Sequence, residues 1–456
     1  MSNELKERIK AGKALREQVP RALHANFSPV AERRSPVELL LEQAQARVPE
    51  LVPVRHARML ASPFAFLRGT AALMANDLVH TPTTGIEVQA CGDVHVANFG
   101  FFASAERHLI FGLNDFDETQ PGPWEWDLKR LVVSALVCAR HLGASPEKAR
   151  AAAYQASRNY RKLIRKYAGL GYLPLWYVRM DAEAILADAP PGLRARAQKL
   201  LDKARSRTHT QALGKLTERV DGKYQLLESP PLIERNPKLA SGISTPEAVE
   251  QMLRSYAQSL APDRRKLFAR YKLVDTARKV VGVGSVGTRC AVALLLGNGQ
   301  EDPLFLQIKQ AQESVLAAAL KRASNYANHG RRVVEGQRIL QGAPDIFLGW
   351  GKVNDVHFYV RQLRNMKVAV ELEPGGIRFN TFHRYCGLCG RALALAHAKS
   401  GDAALIAGYV GGGEELDDAM VAFAQTYAEQ NQTDYQTMAA AAESGQIQVA
   451  RLLESV

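Results

Sequence analysis

Residues 91–102 read CGDVHVANFGFF, which sets an acid, a histidine and an asparagine within six positions between apolar runs. The β-branched and aromatic flanks of IEVQACGDVHVANFGFF predict short strands, with Asp93, His95 and Asn98 on the loop between them. A second apolar run, in RHLIFGLNDFDET, delivers Asp115 and Asp117, and ASAER joins the two segments as a hairpin. Acidic groups are thereby brought twice to the ends of neighbouring strands. Asp, Asn and His are also ordinary turn and capping residues. The spacing of these particular residues suggests more: phosphoryl transfer needs one carboxylate to orient or deprotonate the acceptor and hard oxygen ligands for magnesium. Asp93 and Asn98 stand as D-x-x-x-x-N, where the acid serves as base and the amide oxygen ligates metal. Asp115 is then the main metal carboxylate and Asp117 a second one.

Working outward, WEWDLKRLVVSALVCARHLG returns to helical periodicity, and helices continue to about residue 220. Residues 1–80 also read as largely helical. Near residue 272 the composition shifts again, and ARKVVGVGSVGTRCAVALLLGNGQEDPLFLQIKQA reads as strand, glycine loop, strand, turn, strand. A helix, HGRRVVEGQRILQG, and two more strands, DIFLGWGKV and VHFYVRQL, complete a small lobe. Gly282, Gly284 and Gly287 satisfy G-x-G-x-x-G, yet the loop leads into a β-branched strand rather than the helix of a dinucleotide fold. A glycine loop between antiparallel strands lets backbone N–H groups approach nucleotide phosphates closely. Lys309, the lone charge closing LFLQIKQ, can aim its ammonium at those phosphates while its stem packs on the sheet. Glu335 on the following helix is the expected partner of Lys309, in preference to Glu313, which sits where the strand has just ended.

These motifs resemble the protein-kinase-like superfamily, especially its aminoglycoside and choline phosphotransferase branch. CGDVHVANF followed by LNDFDETQPGPWEWDLKRL is similar to that branch's H-G-D-x-H-x-x-N, its I-D-W or I-D-F, and its later D-L element. The resemblance implies Asp93 as catalytic base, Asn98 and Asp115 as magnesium ligands, and Asp127 as the helix aspartate bracing the catalytic loop, with His95 in a supporting role. VGVGSVGT, with Gly282, Gly284, Ser285 and Gly287, resembles the glycine loop; Lys309 and Glu335 resemble the lysine and glutamate pair. YVRQLRN, with Gln362 and Leu363, falls at the hinge. Cys91 stands where the branch has its first histidine. The nucleotide lobe follows the catalytic segment instead of preceding it, so the resemblance implies a circular permutation, which is permissible where old termini lie close. The whole chain also resembles an uncharacterised bacterial family of the domain-of-unknown-function kind.

The expected fold class is therefore α+β: a two-lobed, kinase-like, permuted fold with a small antiparallel-sheet nucleotide lobe and a larger helical lobe. Residues 1–270 form the helical lobe with the catalytic and metal segments, 271–363 the nucleotide lobe, and 364–456 the hinge and C-terminal helices. The role of 140–270 is left open, with a share in the acceptor site as one reading. ATP and Mg2+ are the expected cofactors, and the acceptor is a small molecule or protein bearing a hydroxyl. The alternatives are a nucleotide-binding pseudokinase, a nucleotidyl transferase on the same fold, and a metal-dependent phosphoesterase suggested by GDVH and NHG. The last lacks a tight histidine pair beside the carboxylates.

Lys and Arg number 59 against 46 Asp and Glu, a net +13 that favours anionic partners such as nucleotides, phosphorylated metabolites or nucleic acid. No basic strand interleaved with aromatics and no zinc module supports the nucleic-acid reading. The charged start MSNELKERIKAGKALREQVP and the lack of a run of about 18 apolar residues imply a cytoplasmic protein without a membrane span. Cys386 and Cys389 in CGLC are read as helix cysteines rather than a metal pair. PFAFLRG, with Arg68 as an anion contact, and PGPWEWD are candidate walls of the acceptor pocket.

Overall fold

The computed structural model describes residues 2–235, 245–280, 282–363 and 365–451. Two arrays of different character meet at the acidic segments. The first is a six-stranded antiparallel sheet in the order Gly349–Val353, Val356–Gln362, Pro303–Gln310, Cys290–Leu296, Lys272–Lys279, Ile233–Glu234. Its strands are the apolar, β-branched runs visible in the sequence, and Leu304, Leu306 and Ile308 alternate into a core with Met252 and Tyr256. Those two residues belong to helix Thr245–Ser259. That helix lies on the helical side of the boundary drawn at 271, but it packs on the sheet because its apolar stripe fits over Gly349 and Gly351, where any Cβ would meet Tyr256 or Met252 within 3 Å.

The second array is helical. Trp124–His141, Pro146–Ala168, Phe379–Ser400 and Glu415–Glu443 share one apolar core with the acidic segments' strands, and helix Asn3–Gln18 packs on Ala403–Val410. Phe379–Ser400 approaches Pro146–Ala168 so closely that a Cβ on Gly390 would stand 2.1 Å from the Ala156 carbonyl oxygen. Only glycine permits that contact. Cys386 and Cys389 are buried in this helix. At its end Gly401 lies against the strand Glu87–Ala90, where a Cβ would be 2.8 Å from the Glu87 oxygen. Helix Phe379–Ser400 therefore stops beside the strand that opens the acidic loop, although the two are remote in sequence.

Small sheets hold the acidic segments. Glu87–Ala90 pairs antiparallel with Gln120–Pro123. Phe99–Ala103 and Leu109–Leu113 form the expected hairpin, with Val368–Ala369 added at its edge. One stretch departs from its helical reading: Thr217–Val220 and Lys223–Leu226 form a hairpin. Asp221 and Gly222 turn it with φ of 50° and 75°, the Asp-Gly signature of a tight hairpin. Among the described residues no helix is long and apolar enough to cross a membrane.

Candidate functional site

The loop bearing Asp93 is fixed by its backbone. Gly92, at φ +82°, bends the chain where a Cβ would meet the Glu118 oxygen at 2.7 Å. Asp127, in the first turn of Trp124–His141, accepts hydrogen bonds from the Cys91 and Gly92 amides at 2.7 and 2.9 Å. His397 Nε2, from helix Phe379–Ser400, lies 3.2 Å from the same carboxylate. Ser134 Oγ accepts from the Val96 amide, and the Tyr385 hydroxyl donates to the Val96 carbonyl at 2.6 Å. Buried N–H groups need such partners, and an ionised acceptor holds them more firmly than a neutral one.

Asp93 is met by Arg130, whose Nε and Nη2 both bond Oδ1, at 2.8 and 2.5 Å. Burial pushes the Asp93 carboxyl above its ordinary range while Arg130 pulls the other way. His95 Nε2 stands 3.7 Å from Oδ2, and burial holds this imidazole well below its ordinary value. Asn98 donates its amide nitrogen to the Asp93 carbonyl at 2.7 Å. The amide oxygen is thus the atom left to ligate.

Asp115 and Asp117 sit under Lys309. The buried ammonium ion-pairs with Asp117 and lies 3.8 Å from Asp115, while the Tyr359 hydroxyl donates to Asp117 at 2.7 Å. Burial alone would raise the Asp115 carboxyl, but Lys309, then Arg361 and Lys367, hold it down at about 2. The acids in turn keep the Lys309 ammonium well above its usual value despite burial.

Glu335 does not reach Lys309. It pairs with Arg331 one turn earlier at 2.7 Å. Helix His329–Gln341 turns its other face to the cleft, and that face carries Arg332. Arg332, fully buried, donates to the carbonyls of Thr119, Asp117 and Gln312. It holds the acidic segment by its backbone, and the acids themselves partner the lysine.

The glycine loop completes the cleft. A cavity of about 260 Å³ is lined by Asp93, His95, Asn98, Asp115 and Asp117 on one side and by Gly282, Gly284 and Ser285 on the other. Ser285 Oγ is 3.4 Å from Asp117 Oδ2. Val281 of the same loop lies outside the described residues. Gly287, at φ +88°, does not line the cavity; it packs on Arg47. Gln362 and Leu363 also stand away from it. The Gln362 amide donates to Asp345 and its side-chain oxygen faces His209 at 2.8 Å, while the Leu363 amide donates to Phe305. Arg364 of the expected hinge lies outside the described residues.

A third wall comes from the N-terminal helices Pro36–Gln45, Val52–Met59 and Pro63–Gly69, which contribute Gln43, Arg55, Arg68 and Gly69, with Arg47 from the connecting segment. They grip the glycine loop: Arg47 donates to the Val286 carbonyl, Arg58 to that of Gly282, and the Val48 amide to that of Gly287. Of this wall only Arg68 is singled out by sequence. Arg130 and His397 carry no local signal, since each acts on a residue far away in the chain.

A family model described as an uncharacterized protein conserved in bacteria, DUF2252, matches residues 47–441, a span that includes the acidic segments, the glycine loop and, of the third wall, Arg47, Arg55 and Arg68 but not Gln43. No curated protein and no solved structure matches the chain.

Proposed function

The chain belongs to DUF2252, a family of uncharacterized proteins conserved in bacteria, and we propose that its cleft binds ATP with magnesium and transfers the γ-phosphoryl group to a hydroxyl. The observation that carries this reading is convergence: carboxylates near residues 93 and 115 and the glycine loop near residue 284 line one cavity, with the Lys309 ammonium on Asp115 and Asp117. A kinase-like architecture in permuted order is part of the proposal. Its support is the end of helix Phe379–Ser400 beside Glu87, which restores in space the usual order of hinge, helix and catalytic loop.

The donor set suits magnesium. Asp115, Asp117 and the Asn98 oxygen are hard oxygens, and the Lys309 ammonium balances the two carboxylates, with Arg361 and Lys367 adding to it at Asp115. Bound there, the ion would neutralise charge on the transferring phosphoryl group. The remaining roles belong to the chain. Arg130 occupies Asp93 Oδ1, which leaves Oδ2 to accept the acceptor's proton. A carboxyl raised by burial is better suited to that task than an ordinary one. Asp127 keeps the loop in position through the amides of Cys91 and Gly92. Lys309 and the glycine loop position the phosphates, and the N-terminal helices wall the cavity on a third side.

Transfer of labelled γ-phosphate, read together with thermal stabilisation by MgATP, tests the proposal. MgATP at a hundred times its dissociation constant adds about 2.7 kcal/mol. Asp93→Asn is expected to abolish transfer and keep that stabilisation, whereas Asp115→Ala weakens MgATP binding itself. Undiminished transfer in Asp93→Asn removes this residue from the mechanism, and no stabilisation of the wild type by MgATP removes the nucleotide.

A further inference from the structure

The N-terminal wall carries charge that the nucleotide reading does not use. Arg47, Arg55 and Arg68 line the cavity together, and among the described residues none of the three makes a salt bridge. Arg55 is 1% exposed; its Nη2 donates to Gln43 Oε1 and to the Gly69 carbonyl, while its Nε and Nη1 have no partner. The Nε atoms of Arg47 and Arg68 are likewise buried without a partner. Burial pushes the Arg55 guanidinium down, and Arg47 adds to that rather than relieving it. Sequestered cations without a counter-charge are costly, and a guanidinium fork is shaped to receive an oxyanion in two places at once.

The cluster runs from the glycine loop toward Asp93. Arg47 packs on Gly287 and bonds the Val286 carbonyl, at the tip of the glycine loop. Arg68 lies beneath Gly284 and is drawn to Asp93 by charge. The triphosphate is accounted for by the glycine loop's Gly282–Ser285 and by Lys309 with Asp115 and Asp117, whereas Arg55 bonds Gln43 and the Gly69 carbonyl. The arginines therefore border the space beyond the transferring group, on the side of the residue that would take the acceptor's proton. Glu118 and Asp117 act by charge on Arg47, and Asp93 and Glu373 on Arg68, but burial and Arg47 both weigh against the Arg55 cation, whereas a phosphate monoester brings nearly two charges and three acceptor oxygens.

We infer that Arg47, Arg55 and Arg68 form an acceptor subsite for a phosphate group, so that the hydroxyl acceptor is itself a phosphorylated small molecule. The inference rests on the phosphotransferase reading, and its test separates the two. Inorganic phosphate is the probe, titrated against the full-length protein with and without saturating MgATP by thermal shift and calorimetry. Phosphate is expected to bind at millimolar concentration or tighter, to add its stabilisation to that of MgATP, and to bind at least tenfold more weakly to Arg55→Met, whose affinity for MgATP stays within twofold of wild type. Arg55→Lys, which keeps the charge but loses the guanidinium fork, supplies the same comparison should Arg55→Met fold poorly.

Phosphate that competes with MgATP, or an equal loss of MgATP affinity in the variants, assigns the arginines to the nucleotide and overturns the subsite. Wild type that binds MgATP but no phosphate overturns the subsite alone. Binding of phosphate through Arg55 without any binding of MgATP overturns the catalytic reading and the acceptor assignment with it.

Discussion

Replacing Lys309 by Met removes the cation that balances Asp115 and Asp117 and leaves the rest of the cleft in place. The ammonium side chain is 2% exposed and the carboxylates 32% and 27%. Removing one partner of a buried ion pair costs about 3–5 kcal/mol, because the other is left charged and unpaired. The partial exposure of both acids places this case near the lower end, at about 3 kcal/mol. Unfolding entropy of about 2.1 cal/mol/K per residue gives a chain of this length about 1 kcal/mol per degree, so the midpoint falls by about 3 °C. Magnesium without nucleotide should then stabilise Lys309→Met more than wild type, since a dication can occupy the place of the lost ammonium. Calorimetric melts at pH 7, with and without magnesium, read both effects. A midpoint within about 1 °C of wild type, or equal gains from magnesium in both proteins, refutes the coupling of Lys309 to the two acids.

Three further substitutions test other parts of the arrangement. Glu335→Ala breaks a partly exposed pair with Arg331 and a hydrogen bond with Tyr326, so it costs about 1 kcal/mol and leaves MgATP affinity within twofold; a tenfold loss in calorimetric titration would restore Glu335 to the site. Asp127→Ala strands the Cys91 and Gly92 amides, each an unsatisfied buried donor worth about 1–3 kcal/mol; phosphoryl transfer falls at least tenfold while MgATP binding is largely kept, and an unimpaired rate counts against the bracing role. Lys129 lies 4.7 Å from the Phe423 ring with its Nζ unpartnered, and burial drives its ammonium down to about 7 against the pull of Glu125. Its folded value lies below the unfolded value of about 10.4. The cost of burying the charge is therefore full below pH 7 and is relieved as pH rises toward 10. Lys129→Met is expected to stabilise at pH 6 by about 1–4 kcal/mol, with the gain shrinking by pH 10 in melts across that range; a gain independent of pH contradicts the assignment.

The acidic segments were legible because their chemistry fixes residue types at short spacing and their flanks alternate as strands must. The glycine loop could be placed for the same reason: the β-branched run after Gly287 marks a hairpin and not a helix. Glu335 misled because a helix's phase against its sheet is not written in one turn of sequence. RRVVEG offers charged residues on two faces, and packing turned Arg332 inward. Arg130 and Arg55 were hidden for a different reason. Each sits on a helix that reads as ordinary, and its role appears only when a partner on another element, Asp93 or Gln43, is folded against it. The hairpin at 217–226 was within reach of the sequence, through Asp221 and Gly222, but was masked by the helical stretch before it.

A crystal structure with magnesium and a non-hydrolysable ATP analogue tests the shared cleft most directly. The triphosphate is predicted to lie between Gly282–Ser285 and Asp115, with a metal on Asp115 and Asn98, Lys309 on a phosphate oxygen, and the γ-phosphate facing Asp93. An analogue bound in another cavity, or one that touches the glycine loop while Asp93 and Asp115 face elsewhere, would contradict it.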